Sequence, residues 1–204
     1  MKLRECDFTI FDVETTGLAP YTGDRICEIA AIRVDYSCKK TGKFDCLVDP
    51  LRPISYGAFM INGITSQMVT GKPTIDKVLP DFFKFAAGSV LVAYNAGFDL
   101  AFLESAMGEE RENLRDYPVV DALGLARRFF PKAGRYNLGL LARHLGIETP
   151  LEHRALADAS MAWRVFEKEL AVMASYGIED VEDIAYSKQW TNAIREQETL
   201  NIKP

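Results

Sequence analysis

Cysteine and histidine are both scarce: four cysteines and two histidines in 204 residues. Cys6, Cys27, Cys38 and Cys46 show no C-x-x-C spacing and do not cluster near a histidine. A chain of this length builds a full core without disulfide staples, so all four read as reduced thiols, and the expected compartment is the cytoplasm. Basic charge is also short: 24 Lys and Arg against 29 Asp and Glu leave a net charge of −5. Proteins that coat nucleic acid are normally basic, so a tight, passive nucleic-acid binder is disfavoured. An enzyme that grips a strand end briefly is not, because bound cations offset site carboxylates. No run of about 18 apolar residues exists, so no membrane span is expected. The start, Met1 to Asp7, reaches Asp12 after too short an apolar run for a signal peptide. There are no internal repeats and no low-complexity segment.

Hydrophobic content of 48% and charged content of 26% are ordinary for a globular protein. The length fits one substantial domain, residues 1–174, with a helical or flexible tail, 175–204, in which the apolar pattern thins. The stretch Ile10-Phe11-Asp12-Val13-Glu14-Thr15-Thr16-Gly17-Leu18 organises the rest. It begins as a strand, and alternate strand residues share a face, so Asp12 and Glu14 point the same way. Two like charges side by side resist desolvation, and a divalent cation is the usual means of holding both ionised. Thr-Thr-Gly then breaks the strand beside them. The plain alternative for an isolated D-x-E is a strand end with two solvated acids.

Along the chain, Arg25 to Val34 reads as a second, mostly buried strand and Lys43 to Val48 as a third, with Lys39-Lys40-Thr41-Gly42 as the turn between them. These three form an antiparallel meander. Ile61 to Val69 reads as a loop leading into a short helix. Ile75, Val78, Leu79, Phe82 and Phe83 have the spacing of one helix face, after Pro73-Thr74 and before Gly88. Val90 to Tyr94 is a fourth, central strand. Asn95 to Leu103 is a strand-to-helix junction with Asp99 at the helix start. Val119-Val120-Asp121 is a fifth strand, with Asp121 as the cap of a helix over Ala122 to Phe130. Asn137 caps a further helix, and His153-Arg154-Ala155-Leu156-Ala157-Asp158-Ala159 leads into a long one ending near Ala174. Glu28 reads as a satisfied structural acid. Glu109 to Asn113 reads as a solvated charged loop. Arg127, Arg128, Lys132 and Arg135 form the main basic cluster, a solvated face or a phosphate contact.

That order predicts an α/β fold in which an antiparallel trio is extended by later parallel strands. Asp12, Glu14, Asp99 and Asp158 can then meet at the strand ends. Four carboxylates around one point suit hard divalent cations, Mg²⁺ or Mn²⁺. His153 lies five residues before Asp158 and has the pKa to take a proton from water near neutral pH.

Phe11 to Leu18, Asn95 to Leu103 and His153 to Ala159 together resemble the three motifs of the DnaQ-like DEDDh exonuclease family, over roughly residues 7 to 170. The resemblance implies a ribonuclease H-like fold, a mixed five-stranded sheet flanked by helices. It also implies a two-metal 3′→5′ exonuclease that releases nucleoside 5′-monophosphates. Asp12 would bridge the two ions, Glu14 and Asp158 would complete the first site and Asp99 would support the second, with His153 as the base. Thr15, Thr16 and Gly17 match the positions that hold the terminal 3′-hydroxyl, and Leu18 presses on the terminal base. Ile64, Asn95 and Phe98 are further substrate-binding candidates. Tyr94 and Asn62 stand where many members carry histidine, which bears on strand contacts more than on chemistry. The expected substrate is the 3′ end of single-stranded or frayed DNA, in proofreading or repair. The rivals are an RNA-trimming exoribonuclease and a non-catalytic binding scaffold. A DNA polymerase is one expected partner. A sliding clamp is another, because Gln197 to Ile202 loosely resembles a clamp-docking peptide.

Overall fold

Nine residues, Asp7–Thr15, form β1, and their composition puts the strand at the sheet centre. Phe8 and Ile10 are fully buried on one face and Phe11 on the other, and such a strand needs cover on both sides. The structure, a computed structural model, describes residues 1–108, 114, 117–149 and 154–186. β2 (Ile26–Val34) pairs antiparallel with β1, and β3 (Lys40–Leu47) antiparallel with β2. On the other side β4 (Ser89–Ala93) pairs parallel with β1, and β5 (Val119–Asp121) parallel with β4. The order β3-β2-β1-β4-β5 is the mixed sheet with an antiparallel trio that the sequence predicts.

Seven helices follow among the described residues: α1 (Tyr56–Asn62), α2 (Ser66–Val69), α3 (Ile75–Ala86), α4 (Ala96–Met107), α5 (Ala122–Phe129), α6 (Leu138–His144) and α7 (Ala155–Ser175). They cover the sheet in two layers. Phe8, Ile10, Ile32, Val92 and Val120 pack with Leu125 of α5 and with Phe166 and Leu170 of α7. Phe11, Val13, Ile29 and Leu91 pack with Phe82 of α3 and Phe102 of α4. Edge-on aromatic contact ties the first layer down, with the Phe8 and Phe166 ring centres 5.1 Å apart. Small residues let α7 lie close: Ala155, Ala159 and Ala162 are buried along its sheet-facing side.

Two local expectations change. β3 starts at Lys40 rather than Lys43, because Val34 and Lys40 still pair across the hairpin, and Asp35 closes the shorter turn by accepting from Ser37 Oγ and Lys39 N. Residues before Asn62 are helix rather than loop. Ser55 caps α1 by accepting from Ala58 N, and Gly63 ends it at φ 68°, a left-handed turn that glycine adopts without strain. Residues 178–186, assigned to the tail from sequence, pack back on the body. Tyr186 N donates to Val119 O at 2.7 Å, Leu3 N to Glu179 O at 2.7 Å, and Val181 and Ile184 are buried. Among the described residues no helix is long and apolar enough to cross a membrane. Glu109 to Asn113 and Gln197 to Ile202 lie outside the described residues.

One buried group opposes the packing. Glu169 of α7 is fully buried, and among the described residues neither of its carboxylate oxygens has a hydrogen-bond partner. Burial, then the charge of Asp121, pushes its pKa well above the usual carboxylate value. The folded state therefore keeps Glu169 protonated. As pH rises past the ordinary glutamate value the unfolded chain ionises while the folded chain does not, so stability falls with pH. Glu169→Met should stabilise the protein by about 1–3 kcal/mol at pH 8, and by less at pH 5. Thermal melts at the two pH values check this, and an equal gain at both contradicts it.

Candidate active site

Strand alternation places Asp12 and Glu14 on the Phe8–Ile10 face, the one covered by α7. Asp158 lies in the first turn of α7, and one carboxylate oxygen from each of Asp12, Glu14 and Asp158 falls within 4.8 Å of the other two. Asp99 arrives from the other layer. β1 pairs with β4 only as far as Ile10, which leaves the later backbone of β1 open on that side. Asp99, buried in the first turn of α4, takes this opening: its Oδ1 accepts from Val13 N at 3.1 Å.

The electrostatics follow from this crowding. Burial pushes the Asp12 carboxyl well above its usual range, and the charges of Asp99, Glu14 and Asp158 add to the shift. Burial and then Asp158 push Glu14 up to about 8, while a hydrogen bond from the Asn62 amide pulls it down. Asp99 is also raised by burial, with the Val13 N–H opposing. The cluster therefore holds several partly desolvated acids.

A counter-charge nearby, Arg154, is already engaged. Glu28, paired across from Glu14 on β2, is buried and accepts from Arg154 Nε at 3.0 and 3.1 Å, from Arg154 Nη2 and from Ala155 N at 3.0 Å. Its structural reading from sequence has a definite content here: the pair pins the start of α7, and so Asp158, to the sheet. His153, next to Arg154, lies outside the described residues.

The turn after β1 is built by Asp24. Its Oδ1 accepts from Thr16 Oγ1 at 3.1 Å and its Oδ2 from Ala19 N at 3.1 Å. A side chain at Gly17 would collide with the Asp24 carboxylate, which is why glycine stands there. Thr15 Oγ1 donates to Gly17 O, and Thr16 is fully buried, so both hydroxyls serve the turn. Leu18 beyond them is 79% exposed. Ile64 is fully buried against Cys27 and Val69. Asn95 is exposed in a left-handed conformation, with its N–H and that of Ala96 donated to Asp121. Asp121 thus caps α5, as its place in the sequence suggests, and also holds the β4–α4 turn. Phe98 stacks on Phe102 with ring centres 5.0 Å apart. Tyr94 donates to Tyr136 O at 2.6 Å. Asn62 donates to Thr15 O at 3.4 Å and accepts from Ile64 N at 3.0 Å.

A family model described as "Exonuclease", of the RNase T type, matches residues 9–166. The chain belongs to the exonuclease family. Over 182 residues, 86% of its length, this exonuclease-family chain is 40% identical to the DNA polymerase III subunit epsilon-like protein of Rhodobacter capsulatus. Over 153 residues, 75% of its length, it is 40% identical to the PolC-type DNA polymerase III of Clostridium perfringens. It spans 25% of the first relative and 10% of the second. Among solved structures, Exonuclease X in complex with 5′-overhanging duplex DNA is 30% identical, with a TM-score of 0.67 over 87% of this chain and 97% of that one. E. coli Exonuclease I in complex with a dT13 oligonucleotide is 21% identical with a TM-score of 0.72, over 84% of this chain and 42% of that one, a likeness of fold. These matches agree with the DnaQ-like DEDDh resemblance of the three motifs.

The donor set of the exonuclease fits a divalent cation. Three carboxylate oxygens lie within 4.8 Å of one another, and burial raises two of the groups, Asp12 and Glu14, above the usual carboxylate range. Oxygen-only donors select a hard ion such as Mg²⁺ or Mn²⁺. Cation at about a hundred times its Kd should stabilise the protein by about 2.7 kcal/mol, or roughly 5–10 °C in Tm. The gain should grow as pH rises toward 8, where Glu14 gives up its proton more easily. Asp12→Asn should melt higher without cation and lose most of the shift. An undiminished shift in that variant places the cation elsewhere. Separately, Arg154→Ala leaves Glu28 buried without its partner and should cost about 3–5 kcal/mol by denaturant unfolding. A cost below about 1 kcal/mol would remove the clamp role.

Proposed function

We propose that the protein is a divalent-metal-dependent 3′→5′ exonuclease, acting on single-stranded or frayed DNA ends and releasing nucleoside 5′-monophosphates. The observation that carries the reading is the meeting of Asp12, Glu14 and Asp158 beside Asp99 at the open end of the central strand. Bound there, divalent cations supply Lewis-acid stabilisation of charge building on the phosphate and on the leaving 3′ oxygen. The chain does the rest. Asp12, Glu14 and Asp158 hold the charge that positions the cations, and Asp99 supports them from α4 while fixing the β1 backbone at Val13. In this reading His153 takes the proton of the attacking water, and the Glu28–Arg154 pair fixes the start of α7, which carries Asp158. The turn from Thr15 to Leu18 receives the terminal nucleotide, its backbone held by Asp24. DNA is favoured over RNA because the matching relatives are DNA polymerase III proteins and Exonuclease X was solved with DNA. An RNA-trimming exoribonuclease is the alternative. Association with a polymerase belongs to the same proposal.

The test uses 5′-labelled single-stranded DNA and RNA of equal sequence, with Mg²⁺, Mn²⁺ or EDTA. The expected result is a metal-dependent ladder shortening from the 3′ end, faster on DNA. Asp12→Ala should lower kcat by roughly a thousandfold or more. Faster loss of RNA selects the exoribonuclease, and no degradation of either strand with either metal leaves the binding scaffold in its place.

A further inference from the structure

Helix α1 is out of character for its position. Its sequence, Tyr-Gly-Ala-Phe-Met-Ile-Asn, carries no charge, and its large side chains face water: Tyr56 is 77% exposed, Met60 62% and Ile61 63%, with Phe59 also exposed. Its burial is confined mainly to its end, where Asn62 is nearly inaccessible. Contiguous exposed apolar side chains mark a surface used for binding.

Where the helix sits says what it binds. Both ends are hydrogen-bonded to the closing residues of β1. Ser55 N donates to Thr16 O at 3.3 Å, and the Asn62 amide donates to Thr15 O at 3.4 Å and bonds the Glu14 carboxylate. The apolar surface therefore begins where the carboxylate cluster and the exposed Leu18 end. It is too small for a stable protein partner, which needs about 800 Å² from each side. One aromatic side chain does suffice for one unpaired base. At about 1.5 Å per residue the helix is about 10 Å long, matching about three nucleotides at 3.4 Å spacing. Without acids it does not repel the strand, and without lysine or arginine it does not hold phosphates, so what it offers is a surface for base faces. Bases in a duplex present their faces to one another and cannot use it.

We propose that α1 is a stacking platform for the unpaired nucleotides that precede the 3′-terminal one, with Tyr56 and Phe59 as the base-contacting residues. This rests on the exonuclease reading and deepens it. It assigns the preference for unpaired ends to a surface outside the carboxylate cluster. Because Asn62 links the helix to Thr15 and Glu14, a seated strand is also delivered to the cluster in register.

The experiment compares two substrates, a single-stranded DNA octamer and the p-nitrophenyl ester of thymidine 5′-monophosphate, which has no preceding nucleotides. Tyr56→Ala and Phe59→Ala should raise KM for the octamer about five- to a hundredfold, the value of losing one base stack. The ratio of octamer to ester kcat/KM should fall by the same factor. Tyr56→Phe should restore it, and far-UV circular dichroism with melting checks the fold of each variant. A ratio within twofold of wild type overturns the platform, whether both substrates slow together, which makes α1 a support for the β1 end, or neither does. A wild-type protein that cleaves neither substrate is a different failure: it overturns the exonuclease reading, and the platform with it.

Discussion

Like charge held in a partly dry place is the constraint around which this protein is built. Asp12, Glu14, Asp99 and Asp158 come from one strand and two helices, and the charges of the other three push the Asp12 carboxyl further above its usual range. Left alone, such a group protonates or separates. The fold prevents separation by anchoring each carrier independently. β1 is fixed between β2 and β4, α4 by Asp99 itself on Val13, and α7 by the Glu28–Arg154 pair together with the Phe8–Phe166 contact. The cost of crowding is thus borne by the whole core, and a divalent cation relieves it.

The polar network around the site divides its work between charge and backbone. Glu28 and Arg154 neutralise one another, so Arg154 is only a minor counterweight to the acids beside it. Asp24 accepts from the Thr16 hydroxyl and Ala19 N, and Asp121 from the N–H groups of Asn95 and Ala96, holding the β1–β2 and β4–α4 turns. Acids of one residue type therefore play three roles within one site. What separates them is the number of donors each receives. Asp24 and Asp121 are well supplied, whereas Asp12 is raised first by burial and then by the other carboxylates.

Contrast between α1 and α7 gives the site its two sides. α7 buries alanines and large apolar residues against the sheet. α1 leaves its aromatic and aliphatic side chains in water, and its attachment is made by polar groups at its ends. One side holds carboxylates still, and the other presents a surface to something absent from the free protein.

Much of this could be read from the chain alone. Alternation in Phe8 to Glu14 determined that both acids share a face, because successive strand residues must point opposite ways. The apolar runs and Gly/Pro punctuation determined the strands, their order and the helices between them, since these are local preferences. Other features needed the fold. Ile64 is apolar beside a motif, and only packing shows it buried against Cys27 and Val69. Residues 178–186 look too polar to belong to the body, yet their backbone and a few apolar side chains close over β5 and the N-terminus. Asp121 reads as a cap, and its second task of holding Asn95 and Ala96 depends on a neighbour 26 residues away. Glu28 and Arg154 lie 126 residues apart, so no local pattern could join them. The sequence by itself determined which residues carry charge, turn and apolar surface, because those are properties of side chains and their nearest neighbours. The tertiary structure decided which of those charges face one another, because that depends on distances between segments far apart along the chain.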